Sequence, residues 1–191
     1  RRRFSRIVDD TGGERMKPSL IVSRLPFSMP SRETFTIKPI RDFLSAQLKE
    51  HEIIVDPFAR NSELATITND LNPDTSAQHH MKADDFLRML IDEGVKADVI
   101  LIDPPYSPRQ VKECYDSLGL DVTSSDTQTS RTMSIINTLS AQVLRTGGKA
   151  ISFGWNSNGV GLKNNMRKTE VHLVPHGSQL HDTIITVEVK E

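Results

Sequence analysis

The sequence predicts an α/β fold, an open and mostly parallel sheet with helices on both faces, on three observations. Short apolar runs alternate with segments of helical spacing along most of the chain, the order of βαβ units. The run Val99, Ile100, Leu101 and Ile102 reads as a buried strand. The last two segments, "TEVHLVPHG" and "HDTIITVEVK", alternate apolar with polar residues, the period-2 signature of a β pair.

The elements follow in order. Residues 1–34 carry Gly12, Gly13, Pro18, Pro26 and Pro30 without a sustained period and read as an irregular N-terminal arm. In "TIKPIRDFLSAQL", Ile37, Ile40, Phe43, Leu44 and Leu48 share one helical face, and Pro39 sits near the first turn, where a missing N–H is tolerated. That helix is expected to end near His51. Strands are expected at 52–56, 65–70 and 97–103, with a helix over "ADDFLRMLIDEG" before the last. Only residues 57–64 separate the first two strands, fewer than the roughly 10–12 of a helical crossover, so the first helix is one turn or absent. "SPRQVKECYDSLG" has the start and stop signals of a helix, and 120–130 is a polar loop. Met133, Ile136, Leu139, Val143 and Leu144 predict a helix that closes on Gly147 and Gly148, and "KAISFGW" is a strand.

Composition narrows the class. A chain of 191 residues supports one core, burying roughly 70% of its unfolded surface. With 36% hydrophobic and 26% charged residues and no apolar run near membrane-spanning length, it reads as soluble and globular, with no membrane partner. The start "RRRFSR" lacks a secretory signal and an initiator Met, so the chain is expected to begin inside a longer one. A single cysteine, Cys114, excludes an internal disulfide framework and fits a cytoplasmic location. A net charge of −1 argues against holding nucleic acid by electrostatics alone. Arg1, Arg2, Arg3 and Arg6, and Lys163, Arg167 and Lys168, read as a solvated tail and face.

Three expected strands end in acids, Asp56, Asp70 and Asp103. In a parallel sheet this places three carboxylates on the carboxyl rim, where such sheets bind ligands. After Asp103 come Pro104, Pro105 and Tyr106, an ending that a buried strand by itself does not require.

These residues resemble the S-adenosylmethionine-dependent amino-methyltransferases, in particular phage and bacterial adenine-specific DNA methylases. Asp103, Pro104, Pro105 and Tyr106 resemble their catalytic "DPPY" motif. "DPFARNS" at 56–62 resembles the first cofactor motif, with Asp56, Pro57, Phe58 and Asn61, but has Ala59, Arg60, Asn61 and Ser62 where the family usually carries glycines. Asp70, followed by Leu71, matches the acid that receives the ribose hydroxyls. In "ADDFL", Asp84 or Asp85, with Asp85 the better match, joins Phe86 to hold the cofactor adenine; Lys82 stands where many relatives have an acid. Phe35 and Thr36 lie in the segment that covers the methionine end. The likeness covers about residues 30 to 190. It implies a Rossmann-like methyltransferase fold of about seven strands with a C-terminal antiparallel pair, and a catalytic domain over 35–191.

The chemistry gives the motif a reason. An exocyclic amine on adenine or cytosine has its lone pair delocalised into the ring and is a poor nucleophile. If the Asp103 carboxylate, which also borders the cofactor, accepts one N–H and the Pro104 carbonyl the other, the lone pair is localised toward the methyl donor. Pro105 stiffens the turn, and Tyr106 stacks on the base. Ser107 and Arg109 directly follow and are candidate substrate contacts, Arg109 for a phosphate. Trp155 and Asn156, after the "KAISFG" strand, lie on the same rim; Trp155 is either a core residue or a lining of the target-base pocket. No metal site is expected, since His79 and His80 are adjacent and point apart. His176 and His181 read as solvent-facing.

The resemblance thus implies S-adenosylmethionine as cofactor and the N6 amine of adenine in DNA as substrate. RNA adenine, N4-cytosine, and an inactive cofactor-binding or assembly protein are the alternatives. A recognition domain has no room in the sequence, so specificity is low or comes from another segment, a homodimer or a partner subunit.

Overall fold

The structure, a computed structural model, describes residues 19–105, 109, 112, 115, 116, 119, 129–177 and 181–191. Seven strands form one sheet: β1 (Ile21–Arg24), β2 (Ile54–Asp56), β3 (Ile67–Thr68), β4 (Ala97–Ile102), β5 (Leu144–Gly154), β6 (Met166–Val174) and β7 (Thr183–Lys190). Their spatial order is β1-β6-β7-β5-β4-β2-β3. Of these only β7 runs antiparallel to its neighbours, β5 and β6. The remaining pairings, β1 with β6, β2 with β3 and with β4, and β4 with β5, are parallel.

The apolar run of β4 explains its place. Strand side chains alternate between faces. Val99 and Leu101 enter one core with Ile54, Phe153 and the Ile40, Leu44 and Leu48 stripe of helix α1 (Lys38–Leu48). Ile100 and Ile102 enter the other with Val55, with Phe86, Leu87 and Leu90 of α2 (Ala83–Asp92), and with Ile136 and Val143 of α3 (Thr129–Val143). A strand covered on both sides has no polar face to show.

The chain leaves β2 toward β3, then crosses back through α2 to β4 on the other side of β2. The order therefore reverses between β2 and β4, and a crevice opens outside their carboxyl ends. Asp56 ends β2, and Asp103 is the first residue beyond β4.

Several expectations on secondary structure change or gain detail. The helix expected to close on Gly147 and Gly148 stops at Val143, and β5 begins at once with Leu144. Pairing with β4 decides this: Ala97 sits opposite Leu144, Val99 opposite Lys149, and residues between them bulge out. Gly147 takes φ +78°, and a β-carbon on Gly148 would stand 2.9 Å from the Arg145 carbonyl oxygen. The two glycines thus serve a bulge rather than a helix end. In the segment read as irregular, Ile21–Arg24 pairs in parallel with β6, a strand too short to show a period. The strand expected over 65–70 is reduced to Ile67–Thr68, extended by a bridge between Asn69 and His79. No helix lies between β2 and β3, as the short connection requires. The helix expected over 107–119 falls mostly outside the described residues, although Arg109, Lys112, Tyr115 and Asp116 are helical. Cys114 and most of the 120–130 loop lie outside them too. Among the described residues no helix is long and apolar enough to cross a membrane.

Candidate active site

Asp56 lies at the base of the crevice and is fully buried. Its Oδ1 accepts the Phe58 N–H at 2.9 Å, while Oδ2 is buried with no hydrogen-bond partner. Burial pushes its carboxyl up to about 8, opposed by the Phe58 hydrogen bond and reinforced by the nearby charges of Asp103 and Asp70. At neutral pH Asp56 holds a proton. The acid at the other end of the strands behaves oppositely. Asp98, on β4, accepts the N–H of Ile53 at 3.0 Å and Arg145 Nε at 2.7 Å, and these bonds lower it to about 2.

The connection after β2 is a tight loop, held by hydrogen bonds in place of a helix. Ala59 N–H donates to the Asn69 carbonyl at 2.8 Å and Asn69 N–H to the Asp56 carbonyl at 2.9 Å. Asn69 is itself 1% exposed; its Nδ2 donates to the carbonyls of Pro57 and Met81, each at 3.0 Å, and its Oδ1 accepts the Met81 N–H. The sequence reading passed over Asn69 for the neighbouring acid, although an amide at a buried strand end is the side chain able to pair with donors and acceptors at once. Asp70 accepts the Arg60 N–H on Oδ2 at 3.1 Å and the Asn72 N–H on Oδ1 at 2.8 Å. Each oxygen keeps a lone pair for a further donor.

Above this loop is a cleft of about 260 Å³. One wall is residues 32–36 with Arg41 of α1, the facing wall is residues 58–64, and Asp103 closes one side. Phe35 is anchored by its ring against Phe153, centroids 5.0 Å apart. Thr36 Oγ1 donates to the Glu33 carbonyl at 2.7 Å. Arg32, Arg41 and Arg60, which the sequence reading did not assign to a site, all line the cleft.

The structure thus brings Phe35, Thr36, Phe58, Asn61 and Asp103 together, with Asp56 near Asp103 and Asp70 tied to the cleft wall through Arg60. Pro57 is buried and Leu71 half-buried beside them. Asp84, Asp85 and Phe86 stand apart, at the start of α2. The Phe86 ring is fully buried against His79, at 5.5 Å between centroids. Asp84 and the more exposed Asp85 both pair with Arg88, at 2.6 and 3.6 Å. Lys82, in the place of an acid, sets its ammonium 5.7 Å from the centre of the Tyr115 ring.

On the continuation of the motif, Pro104 is buried, Pro105 half-buried and Arg109 exposed; Tyr106 and Ser107 lie outside the described residues. Trp155, just beyond β5, is 41% exposed rather than a core residue, and its ring stacks on His181 at 4.2 Å. Asn156 turns its Oδ1 to the Asn158 N–H at 3.0 Å. Glu188 of β7, buried and raised by that burial, accepts the N–H groups of Val160 at 2.5 Å and Gly161 at 3.1 Å and so fixes the loop that follows Trp155. His176 departs from its solvent-facing expectation. It is 2% exposed, between the Ser28 carbonyl at 2.7 Å and the Thr183 hydroxyl at 2.8 Å, because the segment after β1 folds over it. Among the described residues no group of three His, Cys, Asp or Glu side chains could hold a metal ion.

No family model matches this sequence, and no curated protein matches it. Solved structures do match in fold. NSun6 from Pyrococcus horikoshii, solved with SFG, is similar with a TM-score of 0.53 at 17% identity, over 87% of this chain and 56% of that one. TrmN from Thermus thermophilus gives 0.52 at 13% identity, over 81% of this chain and 49% of that one. The 1,6-didemethyltoxoflavin-N1-methyltransferase of Burkholderia thailandensis, with 1,6-didemethyltoxoflavin and S-adenosylhomocysteine bound, gives 0.51 at 10% identity, over 81% of this chain and 78% of that one. The chain has the Rossmann-like fold of methyltransferases. It spans about half the length of the first two proteins.

Proposed function

We propose that the chain is an S-adenosylmethionine-dependent methyltransferase acting on the exocyclic N6 amine of adenine in DNA. The observation that carries this reading is Asp103, followed by two prolines, at the carboxyl end of β4, in the wall of a cleft at the reversal of strand order. The cofactor fits one feature of the site. Asp56 Oδ2 is buried without a partner beside the charges of Asp70 and Asp103, so a cation brought to this rim offsets the negative charge gathered there.

In this reading Asp70 receives the ribose hydroxyls, and Phe35, Thr36, Phe58 and Asn61 enclose the amino-acid end of the cofactor. Asp84 or Asp85 meets its adenine. S-adenosylmethionine, when bound, supplies a methyl group already activated by a sulfonium charge. The Asp103 carboxylate accepts one N–H of the target amine and the Pro104 carbonyl the other, which localises the nitrogen lone pair. Tyr106, Ser107, Arg109, Trp155 and Asn156 form the substrate side, with Trp155 offering a face for stacking. We place the protein in the cytoplasm, with nucleic acid as its partner.

A cofactor-binding protein without catalysis is the second reading, favoured by an arginine where the family carries glycine. Against it stands the backbone at Arg60, whose φ of +51° keeps the left-handed conformation that a glycine would supply. The test is incubation with labelled cofactor and separate DNA and RNA pools, then mass spectrometry of the nucleosides. N6-methyl-2′-deoxyadenosine label in the DNA pool alone is expected; label in RNA or on cytosine replaces the substrate, and no label in either pool favours the second reading.

A further inference from the structure

Arg60 joins both walls of the cleft and ties them to Asp70 beside it. Its backbone N–H donates to Asp70 Oδ2 at 3.1 Å. Its side chain lines the cleft and crosses it, so that Nη1 donates to the Arg32 carbonyl at 2.9 Å. Arg32 opens the segment that forms the opposite wall. The two walls are therefore tied by one side chain.

The backbone makes that tie costly. Arg60 has φ +51°, a conformation that strains any residue with a β-carbon and leaves glycine unstrained. A glycine would satisfy the loop and Asp70 equally well, because the Asp70 bond uses the main chain. What arginine adds is the long donor that reaches residue 32.

We propose that Arg60 is a positioning residue, a clasp that fastens the segment 32–36 across the cleft and thereby sets how long the occupant stays. The effect on the occupant rests on the cofactor reading above; the clasp itself does not. A charged donor on a carbonyl is stronger than a neutral pair, and this one joins two segments that both line the cleft. Loss of the clasp should open the wall without disturbing the loop beneath it.

The test compares the unaltered chain with Arg60→Gly and Arg60→Lys in three measurements: hydrogen exchange of residues 31–37 without ligand, the dissociation rate of S-adenosylhomocysteine, and thermal unfolding. In Arg60→Gly, exchange should rise several-fold and the ligand should leave about tenfold faster, while the melting temperature holds or rises as backbone strain is relieved. Arg60→Lys, which keeps a charged donor, should recover a substantial part of both rates. Unchanged exchange and release in Arg60→Gly overturn the proposal. So does a melting temperature that falls along with faster release, the mark of a merely structural role. If the unaltered chain binds no S-adenosylhomocysteine, the cofactor reading fails, and the exchange measurement alone decides the clasp: a rise in Arg60→Gly supports it and no change overturns it.

Discussion

Two aspartates on adjacent strands carry opposite loads. Asp98 accepts backbone N–H groups and an arginine at the amino ends of the strands and is lowered to about 2, whereas Asp56 at the carboxyl ends is raised to about 8. A carboxyl raised on folding is protonated in the folded chain over a range where the unfolded chain is ionised. The stability Asp56 contributes is complete below its unfolded value near 3.8 and is lost as pH rises through about 8. Melting temperatures of the unaltered chain and Asp56→Asn, taken from pH 5 to 9, should therefore diverge in favour of the variant as pH rises and run parallel above about 8. A constant difference across that range would show that Asp56 does not titrate as its burial demands. Asp103 poses a separate question at the same scale. Asp103→Ala should abolish methyl transfer while S-adenosylhomocysteine affinity, followed by titration calorimetry, stays within a few-fold, since in the proposed reaction its carboxylate acts chiefly on the target amine. Transfer at the original rate would remove the role given to the motif.

At the scale of elements, β5 shows how pairing overrides a local signal. Gly147 and Gly148 after an amphipathic segment are the ordinary end of a helix, yet the chain leaves the helix at Val143, because Leu144 is fully buried and pairs with Ala97. Gly148 then has the Arg145 and Ala97 carbonyl oxygens 2.9 and 3.0 Å from where a β-carbon would stand. Both are backbone atoms that cannot swing aside. Gly148→Ala should cost about 1–3 kcal/mol as overpacking does, measured by urea unfolding, and about 2–4 °C of melting temperature for each kcal/mol. Unaltered stability would mean that the bulge relaxes freely. Strand β1 is the reverse case. Four residues hold no period to read, and the element is defined by its pairing with β6, where Ser23 meets His172 across the pair at 2.6 Å while Glu170 holds the far side of the imidazole at 2.8 Å.

At the scale of the whole molecule, the charge of −1 governs how a nucleic acid would be held. Few phosphate contacts mean few released counterions. Binding by the isolated chain should be weak, should fall with a shallow salt slope of about −0.9 per phosphate on duplex or −0.7 on single strands, and should favour single strands, which need no base flipping. Tight, sequence-selective binding to duplex, measured by fluorescence anisotropy against salt, would reveal a recognition surface outside the cleft.

The sequence by itself determined the central strands of the sheet and the rim on which their acids gather. Alternation along Val99 to Ile102 requires two cores, and the acids after three strands fall on one rim in any parallel arrangement. The brevity of 57–64 excluded a full helix there. Only the tertiary structure decided what those acids experience and which loops meet. The raised proton affinity of Asp56 comes from burial and from Asp103 and Asp70, which lie 47 and 14 positions away in the chain. Asn69 and Arg60 act through partners on other segments, at residues 57, 81 and 32. Periodicity reports which face of an element is buried, because burial repeats with the backbone. It carries no record of a single hydrogen bond across a cleft, which depends on where two distant segments come to rest.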